Sequence, residues 1–319
     1  MRAFVTGGSG FVGSHLVDRL VAQGDEVTIY DLRHPRLPLP GHDHIQFHYG
    51  DLTTLATLHA VLHAANPDIV YHLAARADVR ATPDVAFRNN IQATFNVLET
   101  MRASSCRRIV FASSGSVYGE TAVIPTPEDA PFPVQTSLYS ASKVASEALI
   151  QAYCHSYGFQ GYIFRFVSLL GERYSHGHVL DFYQKLRQNP HELQVLGNGH
   201  QKKSYLYAPD AVDAIMIALA KATAPVNIFN LGTDEYCEVN ESLAWITAYL
   251  GVNPAYVYSG GERGWAGDNP FIYLDTTRIC ALGWQPTKTI KEAIIATVAD
   301  IRMRLEGSPC VSPSLDTQR

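Results

Sequence analysis

The chain has 319 residues, enough for one large or two small domains with a substantial core. A formal charge of −5 gives no electrostatic basis for binding nucleic acid, and five scattered cysteines predict neither a disulfide framework nor a zinc site. No apolar stretch is long enough to span a bilayer, and Met1 runs into an apolar segment without a secretory leader. We therefore expect a cytoplasmic protein with no metal site and no nucleic-acid or membrane partner.

The first elements in the chain predict a dinucleotide-binding unit. A short buried strand at residues 3–5 leads into the glycine-rich turn at residues 6–13, and an apolar-periodic helix follows. In such a unit Gly7 permits a tight turn, Gly10 lets the backbone approach a pyrophosphate, and Gly13 lets helix and strand pack closely. The phosphates would lie at the amino terminus of the helix, where unpaired N–H groups and the helix dipole favour anions.

Strands and helices continue to alternate along the chain. The second predicted strand ends at Asp31, an acidic residue expected to hold the adenosine ribose hydroxyls. The elements predicted after it are strand 45–49, helix 53–65, strand 68–74, helix 84–102, strand 108–112, helix 139–157 and strand 161–167. Apolar strands alternating with helices predict an α/β fold, a doubly wound parallel Rossmann sheet covered on both faces.

The alternation breaks after Ser168. Residues 169–203 contain one predicted helix, at 179–188, after which helix 210–221 and strand 226–230 are expected to rejoin the sheet. The later predicted elements are 239–250, 256–258, 275–282 and 289–305. We therefore predict a Rossmann domain, a smaller α/β substrate lobe with the active site in the cleft between them, and a flexible tail. Their respective bounds are 1–167 with 208–233, 168–207 with 234–306, and 307–319.

Tyr139 and Lys143 lie four residues apart, so they share one face of the helix predicted at 139–157. A free tyrosine has a pKa of about 10 and is a poor base at neutral pH. A neighbouring ammonium favours the phenolate and would lower that pKa. Ser114, at the end of the preceding predicted strand, could share the proton. We interpret Ser114, Tyr139 and Lys143 as the catalytic residues, the alternative being a solvated helix face.

Together these motifs resemble those of the extended short-chain dehydrogenase/reductase family. The resemblance covers nearly all of the chain up to residue 305. It is carried by the glycine-rich turn, Asp51-Leu52, His72-Leu-Ala-Ala75, Asn90, Ser113-Ser114, Val117-Tyr-Gly119 and Tyr139-x-x-x-Lys143. Residues 127–131, 202–210 and 261–284 resemble the nucleotide-sugar epimerase/dehydratase branch, and most closely the UDP-glucose 4-epimerases.

The resemblance implies NAD as the cofactor. Besides Gly7, Gly10, Gly13 and Asp31, it assigns to the NAD site Phe11, Val12, Asp51, Leu52, Leu73, Ala74, Ala75, Arg76, Asn90, Ser113, Tyr139 and Lys143. In that family the residues after the third and fourth strands line adenine, ribose and phosphates, and the lysine holds the nicotinamide ribose. Asp31 would repel the 2′-phosphate of NADP, although Arg33 would partly offset that repulsion.

The resemblance also implies a nucleotide sugar, a UDP-hexose, as the substrate. Ser114, Ser116 and Tyr139 would contact the sugar, as would Ser168, where many relatives carry asparagine. Lys203 and Arg263 would contact the diphosphate. The family usually has arginine at the position of Lys203, and lysine offers a point charge instead of a fork.

The two residues after Ser114 bear on the reaction. Dehydratase relatives carry an Asp-Glu pair there, whereas Gly115 and Ser116 cannot move protons at neutral pH. We therefore predict an NAD-dependent UDP-glucose/UDP-galactose 4-epimerase that acts through a transient 4-keto sugar. The alternatives are an epimerase of UDP-glucuronate or a UDP-N-acetylhexosamine, a dehydratase or reductase, and a non-catalytic NAD-binding protein.

Two further expectations follow from the resemblance. Ile272 falls where relatives vary side-chain bulk beside the sugar, and its branched side chain favours an unacetylated hexose. A uronic acid would need an additional cation, from Arg80 or Arg173. Helices 84–102 and 139–157 resemble the pair that forms a four-helix dimer contact in this family, so we expect a homodimer. The apolar side chains of these helices, such as Phe87, Phe95, Ala148 and Leu149, would divide between that contact and the sheet.

Overall fold

A computed structural model describes residues 1–35, 42–77, 82–132, 134–264 and 271–307. Its central feature is a parallel sheet, seven-stranded in the described residues, with the order β11-β6-β5-β4-β1-β2-β3. These strands are β1 (Arg2–Thr6), β2 (Glu26–Asp31), β3 (Ile45–Tyr49), β4 (Ile69–His72), β5 (Arg108–Ser114), β6 (Gln160–Phe166) and β11 (Val226–Leu231). The predicted α/β fold with a parallel Rossmann sheet is confirmed.

Short strands form three small two-stranded sheets in the described ranges. They are β7 (Ser168–Leu170), β8 (Glu192–Val195), β9 (Lys202–Lys203), β10 (Tyr205–Tyr207), β12 (Cys237–Glu238) and β13 (Ala255–Tyr258). Of these six strands the sequence predicted only β13, because such short strands give no clear period of their own.

The described helices cover both faces of the sheet and build the carboxy-terminal lobe. They are α1 (Phe11–Ala22), α2 (Leu55–Ala65), α3 (Pro83–Ala86), α4 (Ala93–Arg102), α5 (Leu138–Tyr157), α6 (His178–Gln188), α7 (Ala208–Lys221), α8 (Val239–Leu250), α9 (Thr277–Ala281) and α10 (Ile290–Glu306). Most of these helices begin and end within a few residues of the predicted bounds, so the apolar period located them well.

Two predicted elements differ from the structure. The segment 84–102 is not one α-helix, because a π-helical turn, Phe87–Gln92, separates α3 from α4. There the Asn89 amide donates to the Val85 carbonyl at 3.0 Å and the Thr94 hydroxyl donates to the Asn90 carbonyl at 2.7 Å, so side chains compete for the backbone. The element predicted at 275–282 is a shorter helix, α9, because the Asp275 carboxylate accepts from the Thr277 N–H at its start.

Separate apolar clusters lie on the two faces of the sheet. On one face Leu16 and Leu20 of α1 share a cluster with Ile215 of α7, and on the other Leu58 of α2 belongs to the same cluster as Ile150 of α5. Each such side chain contributes about 1.5–3 kcal/mol on burial. The sheet is therefore held between two layers of helices, and the carboxyl ends of its strands remain available for a binding site.

A third cluster forms the core of the carboxy-terminal lobe, where α6, α8 and α10 pack through Phe182, Leu243 and Ile294. The chain then returns to the sheet, since β11 pairs with β6 in parallel from Val226–Gly161 to Leu231–Phe166. The exact division into two lobes stays a prediction.

None of the helices in the described ranges combines the length and the apolar character needed to cross a membrane. In the same ranges no group of three or more His, Cys, Asp or Glu side chains is arranged to hold a metal ion.

Candidate active site

The glycine-rich turn between β1 and α1 has the geometry of a phosphate cradle. Gly7 has a φ of +74°, and a Cβ on it would lie 2.6 Å from the Ala74 nitrogen. A Cβ on Gly13 would collide with the Gly7 carbonyl oxygen, so helix and strand could not pack as closely. No side chain in the described residues caps α1 at Gly10, which leaves its first N–H groups to an anion.

Phe11 and Val12 form the first turn of α1 and lie directly on this cradle. The neighbouring Ser9 hydroxyl is buried and has no hydrogen-bond partner among the described residues. A buried orphan hydroxyl beside open helix N–H groups fits a polar ligand, so the residues present suit the pyrophosphate of a dinucleotide.

Asp31 lies at the end of β2, next to the cradle. Its carboxylate accepts hydrogen bonds from the N–H groups of Ser9 and Arg33, each at 3.0 Å. Burial raises the pKa of Asp31, while these bonds oppose the rise. The carboxylate is thus held by backbone on one side, and it is suited to accept from ribose hydroxyls.

Asn90 fixes the loop that follows β4. Its side-chain oxygen accepts from the Arg76 N–H at 2.8 Å, and its amide donates to the Ser142 hydroxyl on α5, also at 2.8 Å. The predicted NAD-site residues Leu73, Ala74, Ala75 and Arg76 form this loop. The role of Asn90 is therefore to tie the loop to α5 from within the π-helical turn.

Asp51 and Leu52 follow β3 at the same edge of the sheet. The Asp51 carboxylate accepts from the Thr53 N–H at 2.8 Å, and the Leu52 carbonyl accepts from the Asn96 amide at 2.8 Å. Both residues are held by these bonds at the end of the sheet where the adenine is predicted to lie.

The three predicted catalytic residues come together at the end of β5. The N-cap Ser137 accepts from the Ser140 N–H, which places Tyr139 in the first turn of α5. Tyr139 is hydrogen-bonded to Ser114, the last residue of β5. Lys143 is 3% exposed, and its Nζ donates to the Ala112 carbonyl at 2.7 Å and lies 5.8 Å from the centroid of the Tyr139 ring.

Burial shifts the pKa of both ionisable partners toward the neutral form. It raises the pKa of Tyr139 to about 12, although the hydrogen bond from Ser114 opposes the rise. It lowers the pKa of Lys143 to about 8, against the influence of the Glu147 carboxylate. We expected the neighbouring ammonium to lower the Tyr139 pKa; in the structure burial raises this pKa instead, and the opposing influence is the hydrogen bond with Ser114.

Ser113 and Ser116 flank Ser114 but differ in what they offer. The Ser113 hydroxyl donates to the Glu147 carboxylate at 2.5 Å, so its proton is not available to donate in the predicted NAD contact. The Ser116 N–H donates to the Ser114 hydroxyl, while its own hydroxyl is buried with no partner in the part of the chain that the structure describes. That hydroxyl suits a sugar contact.

Ser168, Lys203 and Arg263 belong to the predicted substrate lobe. Ser168 is exposed and begins β7 just past the end of β6, which pairs with β5 at Ser114. Lys203 lies in β9 and is near enough to His178 to lower the imidazole pKa, which burial takes to about 3. Arg263 forms an exposed ion pair with Glu120, its two Nη atoms 2.8 and 3.1 Å from the carboxylate oxygens.

The two arginines considered for a uronic acid have different outcomes. Arg173 has a φ of +64°, its N–H donates to Asp300 at 2.9 Å, and its guanidinium pairs with Asp18 of α1. These partners hold it where the lobes meet, so the interpretation of Arg173 as a sugar cation is not supported. Arg80 lies outside the described residues.

Sequence reasoning missed a buried ion pair behind the predicted catalytic residues. Arg165 is 2% exposed and its Nη2 lies 2.7 Å from the Glu147 carboxylate. Arg165 Nη1 also donates to the Tyr118 hydroxyl at 2.5 Å. One signal was present, because Arg165 interrupts an otherwise apolar strand, and a charge is buried there only with a partner.

The fold and site define a class, a dinucleotide-dependent enzyme of Rossmann type with a tyrosine–lysine pair at a serine-bearing strand end. Residues 3–232 match the NAD dependent epimerase/dehydratase family. The chain belongs to this family, and its cofactor is NAD.

Individual relatives are similar over nearly the full length. A putative UDP-glucose 4-epimerase from Methanocaldococcus jannaschii is 32% identical, over 91% of this chain and 95% of the relative. The crystal structure of a UDP-galactose 4-epimerase is 37% identical with a TM-score of 0.85, over 96% of this chain and 100% of that one. The Thermus thermophilus UDP-glucose 4-epimerase, solved with NAD, is 30% identical with a TM-score of 0.84, over 95% and 99%.

Proposed function

We propose that the protein is an NAD-dependent UDP-sugar 4-epimerase that interconverts UDP-glucose and UDP-galactose. The observation that carries the proposal is the end of β5, where Ser114 meets Tyr139 and Lys143 but no acid or base follows. The names of the similar proteins support the same reaction type.

Packing at Gly115 favours epimerisation over dehydration. A Cβ on Gly115 would lie 2.8 Å from Ile272 and 3.2 Å from Leu274, and 3.3 Å from the Phe166 carbonyl oxygen. An acidic side chain at this position would need these neighbours to move. Gly115 stands where dehydratases carry the aspartate of their Asp-Glu pair, and its neighbours leave no space for such a side chain. A 4-keto sugar would therefore find no acid–base pair here to expel water.

The chain's own residues would then handle one proton. NAD, held by the glycine-rich turn, would supply the hydride chemistry at C4 of the sugar, with the hydride restored to the opposite face. Tyr139 would take the C4 hydroxyl proton and return it, with Ser114 holding the shared hydrogen bond. Lys143, protonated at neutral pH, would stabilise the phenolate that forms. Its charge matters more because burial disfavours that phenolate.

The predicted binding residues complete the proposal. The turn from Gly7 to Gly13 with Asp31 would hold NAD, and Lys203 and Arg263 would hold the diphosphate. Ser116 and Ser168 would contact the sugar. Because Ile272 already fills the space beside Gly115, an unacetylated hexose is the better fit.

The test is a product assay with the purified protein on UDP-glucose, UDP-galactose, UDP-glucuronate and UDP-N-acetylglucosamine. We expect C4 epimers of the first two, with no net use of NAD, and release of NAD(H) on denaturation. The Tyr139→Phe variant, purified in parallel, controls for a contaminating epimerase. A 4-keto-6-deoxy product or stoichiometric consumption of NADPH would contradict the proposal.

We also propose a homodimer formed through α4 and α5. Phe87 and Phe95 are 55% and 44% exposed, and Ala148 is exposed on α5. Pairing with a second copy would bury these apolar side chains.

A further inference from the structure

Glu147 is fully buried one helical turn after Lys143 on α5. Its carboxylate accepts from the Ser113 hydroxyl at 2.5 Å and from Arg165, whose Nε and Nη2 lie 3.0 and 2.7 Å away. The helix that carries the predicted base is thus connected to two adjacent strands of the sheet, β5 and β6, through one carboxylate. A buried charge with this many donors holds a narrow geometry.

The far side of Arg165 is held equally firmly. Its Nη1 donates to the Tyr118 hydroxyl at 2.5 Å and to the Glu128 carbonyl at 2.9 Å. Tyr118 in turn donates to the Asn230 side chain on β11 at 2.8 Å. The guanidinium cannot follow Glu147 if the helix shifts, so the pair fixes α5 against the sheet.

The groups that surround Lys143 decide which of them can stabilise its ammonium form. On its own helix it faces the Tyr139 ring and Glu147, and from β5 it faces the Phe111 ring, at 4.7 Å, and the Ala112 carbonyl. His72 of β4 is also near, but its pKa of about 3 leaves it neutral. Glu147 is thus the acidic group acting on Lys143 within the described ranges.

We propose that Glu147 is a positioning residue for the reaction, which holds the end of β5 through Ser113 and keeps Lys143 charged beneath Tyr139. The inference rests on the proposed function, since it assigns Lys143 the role of supporting the phenolate. Glu147 itself touches neither substrate nor NAD in this assignment, so it acts only through Ser113 and Lys143.

The charge part of the proposal has a definite sign. Removing the carboxylate removes the influence that raises the Lys143 pKa, while burial, which lowers it, remains. The ammonium form, needed for activity, would then be lost at a lower pH. A purely structural role for Glu147 predicts lower stability without this displacement.

The first experiment reads Lys143 directly. The protein, labelled with carbon-13 at the lysine ε-carbon, is titrated by NMR, and Lys143→Arg identifies the resonance. Glu147→Gln keeps an acceptor for Ser113 but removes the charge, and it should lower the Lys143 pKa by about one unit. Glu128→Gln, a buried carboxylate in contact with Asn230 instead of Lys143, should leave it unchanged. An unchanged pKa in Glu147→Gln would overturn the proposal.

The second experiment is the pH dependence of kcat/KM on the best UDP-sugar. In Glu147→Gln the alkaline limb of the pH profile should move to lower pH by the change in Lys143 pKa that NMR measures. Ser113→Ala should lower kcat without moving that limb. Should Glu147→Gln fail to fold with Arg165 unpaired, Glu147→Gln/Arg165→Met removes both charges. Its limb should still move to lower pH, by less than in the single variant, because the loss of the guanidinium opposes the shift. If the wild type converts no UDP-sugar, the proposed function fails, while the NMR titration still decides the role of Glu147.

Discussion

The side chain of Lys143 on α5 donates to the carbonyl oxygen of Ala112 on β5, at 2.7 Å. Ala112 lies two residues before Ser114, so this bond between helix and sheet helps to fix the position of Tyr139 relative to the end of β5. The ammonium consequently has a fixed place beneath the ring before any ligand arrives.

Replacing Tyr139 by phenylalanine should lower kcat by roughly 10² to 10⁴, the usual contribution of a positioned proton-transfer group. NAD retention and UDP binding should remain near normal, because the ring that packs over Lys143 is kept. Steady-state kinetics and calorimetry measure the two effects. Tyr157→Phe on the exposed end of the same helix is the matched control. Near-normal turnover in Tyr139→Phe would mean that another group is the base.

Removing the lysine should damage two functions at once. Lys143→Ala should lower kcat as much as Tyr139→Phe does and should also reduce the NAD content of the purified protein, since the ribose contact and the charge are both lost. The control is Lys185→Ala, which removes a lysine of α6 that pairs with Asp181 at the surface; it should change neither kcat nor the NAD content. Absorbance after denaturation gives the NAD content, and a full complement of NAD in Lys143→Ala would argue against the ribose contact.

Ser114→Ala should be milder than either, because a water can replace one hydroxyl hydrogen bond. The measurement is kcat on the same sugar, side by side with Tyr139→Phe, and Ser105→Ala on an exposed turn is the control. A loss as large as that of Tyr139→Phe would assign Ser114 a share in the proton transfer itself.

The ion pair between Glu120 and Arg263 should compete with the substrate diphosphate. If Arg263 binds the diphosphate, Glu120→Gln should tighten UDP binding by up to about fivefold, the range of an exposed ion pair. Glu262→Gln removes the same charge next to Arg263 in sequence and serves as the control, because it keeps the ion pair with Glu120. Calorimetry at two salt concentrations measures both. Equal affinity in the two variants would place the diphosphate elsewhere.

Shortening Ile272 should widen the choice of sugar. Ile272→Ala vacates space beside Gly115, so the ratio of kcat/KM for UDP-N-acetylglucosamine over UDP-glucose should rise by about tenfold. Val257→Ala, a partly exposed apolar residue of β13, controls for a general loosening of the lobe. A ratio that does not change would separate Ile272 from sugar selection.

A charge on the proposed contact face should dissociate the dimer. Phe95→Glu places a carboxylate on the exposed side of α4, and light scattering at micromolar concentration should then give the mass of one chain. Val257→Glu, on the carboxy-terminal lobe, should leave the dimer mass. A wild-type protein that is already monomeric would end the proposal.

Local patterns were enough to predict the sheet and the meeting of Ser114, Tyr139 and Lys143 at its edge. The glycines at 7, 10 and 13 serve one turn between a strand and a helix. Tyr139 and Lys143 lie four residues apart, so their relative position depends on a single helix. The ion pair of Glu147 and Arg165 depends instead on two elements meeting through the fold. The sequence showed only that Arg165 stood in an apolar strand, without showing which acid would meet it.

The π-helical turn at Phe87–Gln92 was hidden for a related reason. Its cause is the set of side-chain bonds of Asn89, Asn90 and Thr94, two of which point back to the backbone and one to α5. An apolar period of 3.6 residues carries no information on these bonds. The Tyr139 pKa could not be derived either, because burial of the ring is a property of the assembled cleft.

The position of β11 has a consequence for how the protein is made. β11 is the outermost strand of the sheet and the last of its strands along the chain, and it pairs with β6 over its whole length. A nascent chain on the ribosome that has not yet released residues 226–231 therefore presents β6 as an open edge, with a row of unpaired backbone groups. The sheet can be completed only after residues 167–225, which lie between β6 and β11 in the chain, have emerged. Translation products that stop within α7 should consequently associate through β6.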